Sequence, residues 1–140
     1  MKPVLGIIAI LLAFLGGDEG ILGRAAAAWE KGEYLESASL YQDALASYPR
    51  QGAAIRYNLA LCYLAADSVQ QALNYFHQAA REEVPGIASH AWNHIGVLVA
   101  AQNQSREALS AFREALVLDP NNEEARYNYE LLKKRLHEDT

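Results

Sequence analysis

The 140-residue sequence predicts an all-α solenoid: about three helix–turn–helix repeats and a C-terminal capping helix, preceded by an N-terminal hydrophobic helix. Three observations predict it. Ala72, Phe76 and Ala79 return 36 residues later as Ala108, Phe112 and Ala115, and Ser37, Tyr41 and Ala44 stand 35 residues earlier. That spacing puts a small, an aromatic and a small residue on one helix face, where the small ones admit a neighbouring helix and the ring fills the gap beside it. Arg56-Tyr57-Asn58 likewise returns as Arg126-Tyr127-Asn128. Turn-forming residues fall between the periodic stretches at matching intervals. Hydrophobic residues make up 51% and charged residues 21%, which excludes wholesale disorder. The net charge of −5 argues against a global electrostatic grip on nucleic acid. The single cysteine, Cys62, excludes an internal disulfide framework and a cysteine-built zinc site.

Residues 1–17 read as a hydrophobic leader. Val4 to Gly17 carry no charge and no strongly polar group. As a helix they would extend about 21 Å, short of the ~30 Å hydrocarbon core, so the length suits a secretory signal as well as a short anchor. Cleavage after Gly17 or Gly16 would put Leu15 or Phe14 three residues before the cut, where a small residue is wanted. Gly6, Ala9, Ala13 and Gly17 recur at roughly helical spacing and would give a membrane helix a small-residue packing face. The anchor is the preferred reading. Lys2 and the amino terminus precede the segment and acids follow it. That orientation leaves the amino terminus in the cytoplasm and the remaining chain, 18–140, on the extracytoplasmic side.

The repeats run at about 18–51, 53–86 and 89–122, with the capping helix over 122–137. Gly32, Asp67 and Asn103 occupy corresponding turns between paired helices, and all three tolerate turn geometry. Ser68 with Gln71 suggests a capping box, and Ser105 a cap one repeat later. Pro49 and Pro120 end second helices, and Pro85-Gly86 ends the middle repeat. In the last helix Ala125, Tyr129, Leu132 and Leu136 form the inner stripe, while Glu130, Lys133, Lys134 and Arg135 keep much of the rest wet.

The third repeat carries Trp92, Gly96, Ala108, Phe112, Ala115 and Pro120, and the second carries Leu59, Tyr63, Ala72, Phe76 and Ala79 with Ala60 in the glycine's place. With these residues the chain resembles the tetratricopeptide repeat family, a 34-residue helix–turn–helix unit. The resemblance covers about five-sixths of the sequence, although the first helix of the first repeat is degenerate. It implies a superhelix whose concave side is lined by the first helix of each repeat. The positions it assigns to that groove are Trp29; Tyr57, Asn58, Leu61 and Leu64; His90, Asn93, His94 and Val97; and Tyr127, Asn128 and Leu131. Apolar members would anchor a peptide or helix, and Asn58, Asn93 and Asn128 could bond its backbone. Packing between repeats is the competing role for the same residues. Tyr57→Ala with Asn93→Ala is accordingly expected to weaken partner capture without unfolding the domain. Chaperone-binding members clamp a terminal carboxylate with Lys, Asn and Arg. Here Leu22, Ala26, His90 and His94 stand at the corresponding places and only Asn58 matches, so an acidic-tail clamp is not expected.

His90 and His94, four apart on one helix, suggest a metal-binding alternative, which would need a third ligand such as His77 or Glu83 from another helix. No metal or cofactor is expected on the leading reading. Cys62 reads as a packing residue. The sequence contains no glycine-rich phosphate loop, nucleophile elbow or CxxC pair, so a non-enzymatic protein is expected. The function expected is a membrane-anchored interaction scaffold that holds or helps assemble a larger membrane-associated complex. Its partners would be other protein subunits, not nucleic acid. The stretch Asp119 to Lys134 also resembles the small bacterial Bat-type aerotolerance proteins, which implies an envelope complex. The alternatives are a secreted or periplasmic soluble chaperone with its leader removed, and the histidine-based ligand binder.

Overall fold

A computed structural model describes residues 20–139. The leader, with its packing face Gly6, Ala9, Ala13 and Gly17, lies outside the described residues. Among those described there are seven α-helices and no strand: α1 Ile21–Glu30, α2 Tyr34–Ser47, α3 Gly52–Ala65, α4 Val69–Arg81, α5 Pro85–Ala101, α6 Ser105–Leu118 and α7 Glu123–Glu138. A 3-10 turn, Pro49–Gln51, joins α2 to α3. None of the described helices is long and apolar enough to cross a membrane.

The turns α1–α2, α3–α4 and α5–α6 share one construction. Gly32, Asp67 and Asn103 have φ of +77°, +60° and +63°. In each turn two N–H groups cap the preceding helix. Gly32, Asp67 and Asn103 donate to Trp29, Leu64 and Ala100, and the next residues, Glu33, Ser68 and Gln104, donate to Ala28, Tyr63 and Val99. This paired reversal satisfies carbonyls that a helix end leaves open, and it requires the left-handed conformation that Gly, Asn and Asp accept most readily. It also corrects an expectation. Gln104, not Ser105, precedes α6, no side chain caps that end, and Ser105 is already helical. Pro85 likewise opens α5 instead of closing the middle repeat. A proline serves at a helix's first position because the N–H it lacks would be unbonded there anyway.

The chain divides into two compact units, one ending at Ala79 and the other beginning at Ala80. All nine residues of the repeating trio are fully buried in them: Ser37, Tyr41 and Ala44; Ala72, Phe76 and Ala79; Ala108, Phe112 and Ala115. The first unit gathers Leu22, Ala25, Ala38, Tyr41, Ala44, Ile55, Leu59 and Cys62 into one core. Tyr57 meets Phe76 edge-on at 5.8 Å between ring centroids, joining α3 to α4. In the second unit Gly96 brings α5 against α6 so closely that a Cβ there would lie 2.4 Å from the Phe112 ring. Phe112 and Ala108 pack with Leu132 of α7, and Tyr129 and Leu136 flank them, as the inner stripe requires.

A polar node completes the second unit. Ser89 Oγ donates to the Ala115 carbonyl at 2.7 Å, and Asn122 Nδ2 donates to Ser89 Oγ at 2.9 Å. Asn122 Oδ1 accepts from the Ala125 N–H at 3.0 Å, capping α7. Ser89 and Asn122, both buried, together tie α5, the end of α6 and the start of α7. Asn122→Ala removes the cap and one partner of a buried hydroxyl, and it should cost about 2 kcal/mol in urea unfolding of the chain. A change below about 0.5 kcal/mol would show the node to be dispensable.

Candidate functional site

The twelve positions expected to face a ligand divide by burial. In the first unit Tyr57, Asn58 and Leu61 are buried, while Trp29 and Leu64 are half-buried. Trp29 packs edge-on against Tyr34 at 5.0 Å, closing the α1–α2 hairpin. In the second unit Asn93, His94 and Asn128 are buried, Val97 and Leu131 are half-buried, and His90 and Tyr127 are exposed. Asn128 Nδ2 donates to Asn93 Oδ1 at 3.0 Å, so this amide pair links α5 to α7. Amide groups expected to hold a ligand's backbone are thus partly engaged inside the protein. Tyr57 and Asn93 are enclosed and engaged, so truncating them removes packing and a buried hydrogen bond. The Tyr57→Ala, Asn93→Ala pair therefore cannot report on partner capture alone.

The histidines do not share one environment. His90 is exposed and His94 is 2% exposed. Burial, with a smaller contribution from His90, pushes the His94 imidazole down to about 3, so it is neutral at pH 7. No group of three or more His, Cys, Asp or Glu residues that could hold a metal occurs among the described residues.

Cys62 is free and buried in the first unit's core. Its thiol donates to Ser37 Oγ at 3.4 Å, and Ser37 Oγ donates to the Ala25 carbonyl at 2.7 Å. Burial raises the thiol to about 11, only partly opposed by the Ser37 contact, so it is a packing group and not a nucleophile at neutral pH. Burial also raises the Tyr41 phenol, chiefly by desolvation and further by Cys62, with a hydrogen bond to Asn58 pulling the other way. Tyr41, where the later repeats have Phe76 and Phe112, therefore stays protonated and packs as they do.

Another cluster was not apparent in the sequence. Tyr63 and Tyr75 stack with ring centroids 5.6 Å apart and planes 4° apart, and Gln42 Nε2 donates to both hydroxyls, at 3.2 and 3.0 Å. The three residues come from α3, α4 and α2, and no sequence periodicity connects them. Ser89 was missed for the same reason. Its partners Ala115 and Asn122 are distant in sequence.

Comparison with known proteins decides the family. The tetratricopeptide repeat profile matches residues 22–86 and 68–123. The chain belongs to the tetratricopeptide repeat family. Its match to the chloroplastic tetratricopeptide repeat domain-containing protein PYG7 of Arabidopsis thaliana is 34% identical over 78 residues, 56% of this chain. The aligned part is 25% of PYG7, so this chain spans about a quarter of that relative. Among solved structures it is similar to the tetratricopeptide repeat domain of Sgt2 from Aspergillus fumigatus. There the TM-score is 0.71 at 21% identity, over 84% of this chain and 78% of that one. It is also similar to the first tetratricopeptide repeat domain of Spaghetti (RPAP3), which was solved with the HSP90 peptide SRMEEVD. That TM-score is 0.70 at 20% identity, over 84% of this chain and 90% of that one. At these identities the likeness establishes the tetratricopeptide fold. The repeat positions then align Asn58, His94 and Asn128 with one another, and Tyr57, Asn93 and Tyr127 likewise.

Proposed function

We propose that this tetratricopeptide repeat chain is a protein–protein interaction module tethered to a membrane by residues 4–17, where it holds or helps assemble a larger membrane-associated complex. The family match over residues 22–123 carries the interaction reading. The uncharged run Val4 to Gly17 supports the tether, and the placement of Lys2 before it supports an extracytoplasmic repeat domain. The resemblance of Asp119 to Lys134 to Bat-type proteins supports a complex in a bacterial envelope. The family is one of non-enzymatic interaction modules, and chemistry by the chain itself forms no part of this reading. The partners are other protein subunits, met through the first helices of the repeats and α7.

Two measurements test this. A photo-cross-linking residue at Tyr127 in native membranes should capture specific protein subunits identifiable by mass spectrometry. The absence of any captured protein would remove the interaction reading. Intact mass should show Met1 to Gly17 retained. A mature chain lacking them and recovered outside the membrane fraction would favour the secreted chaperone, which the leader's short length also suits.

A further inference from the structure

The tyrosine stack of the first unit has a geometry suited to chemistry as well as packing. Tyr63 of α3 and Tyr75 of α4 lie with ring centroids 5.6 Å apart and planes 4° apart, an offset stack. Gln42 Nε2 donates to both phenol oxygens, at 3.2 and 3.0 Å. Two oxygens that reach one nitrogen lie at the same end of the pair, so the ortho ring carbons beside them are neighbours. Both tyrosines are half-buried and Gln42 is exposed, which leaves the hydroxyl end open to solvent. Because the amide donates, each phenol keeps its own hydrogen to give to water, and a phenoxyl oxygen accepts the same N–H that a phenol does. Other tyrosines are placed differently. Tyr41 and Tyr57 are buried, and Tyr34 meets Trp29 edge-on, with 62° between the planes. Tyr127 is exposed on α7, whereas Tyr129, two residues on, turns inward against the core.

We propose that Tyr63 and Tyr75 form an oxidative coupling site, at which hydrogen peroxide acting through a peroxidase joins α3 to α4 by a dityrosine bond. Each phenol gives one electron to the oxidant and its O–H proton to water. The unpaired electrons spread onto the ortho carbons, and one such carbon on each ring contributes its electron to the new C–C bond. The hydrogen on each bonded carbon is then lost to solvent while the oxygen takes one up, which restores both aromatic rings. The net change is a loss of two hydrogens, and one hydrogen peroxide takes those two electrons and two protons to become two waters. To bond, the rings tilt together from a stack that already sets them edge beside edge. The fold thus holds the two reactants at an effective concentration that separate chains in dilute solution do not reach. The product is a covalent tie across the α3–α4 turn, which restricts the unfolded chain as a cross-link does. This site is independent of the membrane and partner readings above.

The test treats the full chain, in detergent, with a haem peroxidase and hydrogen peroxide. Dityrosine fluorescence should appear in the monomer band, and mass spectrometry of its digest should find the Tyr63 and Tyr75 peptides joined with the loss of two hydrogens. The yield per chain should stay constant over an about tenfold dilution, as a reaction within one molecule requires. Tyr63→Phe and Tyr75→Phe keep the stacked ring and remove the phenol that oxidation needs, so each should remove most of the monomer's fluorescence. Tyr127→Phe should leave it unchanged. Circular dichroism should show all three variants folded before oxidation, since each loses a single oxygen. No coupling in the monomer, cross-links confined to dimers, a digest that joins other tyrosines, or a monomer product that persists in Tyr63→Phe or Tyr75→Phe would overturn the proposal.

Discussion

Replacing Gly96 by Ala should destabilise the chain by about 2–3 kcal/mol, and shrinking Phe112 should partly rescue it. The added Cβ would lie 2.4, 2.6 and 2.8 Å from three Phe112 ring carbons. The ring is fully buried and cannot swing into solvent, so α5 and α6 must separate or the ring must leave its rotamer. Phe112→Leu alone should also cost stability, because it leaves a void beside Ala108 and Leu132. In the double variant the new methyl occupies part of that void. The double-mutant cycle should therefore show a favourable coupling of about 1 kcal/mol or more in urea unfolding. Strict additivity would mean that the helices have room to move apart. Ala60, at the corresponding place in the second repeat, shows that the family position itself accepts a methyl. The prediction depends on the local closeness of α5 and α6.

Acidification should destabilise the chain through His94, and His94→Asn should remove that part of the pH dependence. Folded His94 titrates at about 3, against an ordinary value of 6.5. Between those values the unfolded chain binds a proton that the folded chain refuses, so stability rises with pH across the interval. The contribution of His94 is fully present above about pH 6.5 and is lost as the pH falls towards 3. The slope approaches ~1.4 kcal/mol per pH unit, or about 3 kcal/mol between pH 7 and pH 4. Asparagine is the appropriate replacement because Asn58 and Asn128, both buried, occupy the same repeat position. Carboxylates elsewhere also respond to acid, so the decisive quantity is the difference between wild type and His94→Asn. Urea-derived stability curves that stay parallel from pH 7 to pH 4 would show that His94 does not stay neutral in the fold.

Much of the fold was legible because repetition multiplies a weak signal. A single Ala–Phe–Ala spacing fits many helices, but its return in successive repeats predicted nine positions that are all fully buried. Gly32, Asp67 and Asn103 were readable as turns because few residues accept a positive φ, and all three adopt one. Pro85 was misplaced because proline both stops and starts helices, and nothing local distinguishes the two uses. The cap at Ser105 failed for a related reason. The turn N–H groups of Asn103 and Gln104 bond back to Ala100 and Val99, which carries the chain into α6 one residue early.

The candidate site was less legible than the scaffold. Asn93 and Asn128 carry the same donors and acceptors whether they face a ligand's backbone or each other, and sequence cannot say which. Local sequence determined where helices form, where they reverse, and which stripe of each turns inward, because these depend on spacing and backbone conformation within a few residues. Tertiary structure alone decided that Asn93 pairs with Asn128, that Asn122 reaches Ser89, and that His94 is enclosed while His90 is open. Those outcomes depend on the solvation and hydrogen bonding a side chain finds among neighbours distant in the chain, and such neighbours exist only once the helices have packed.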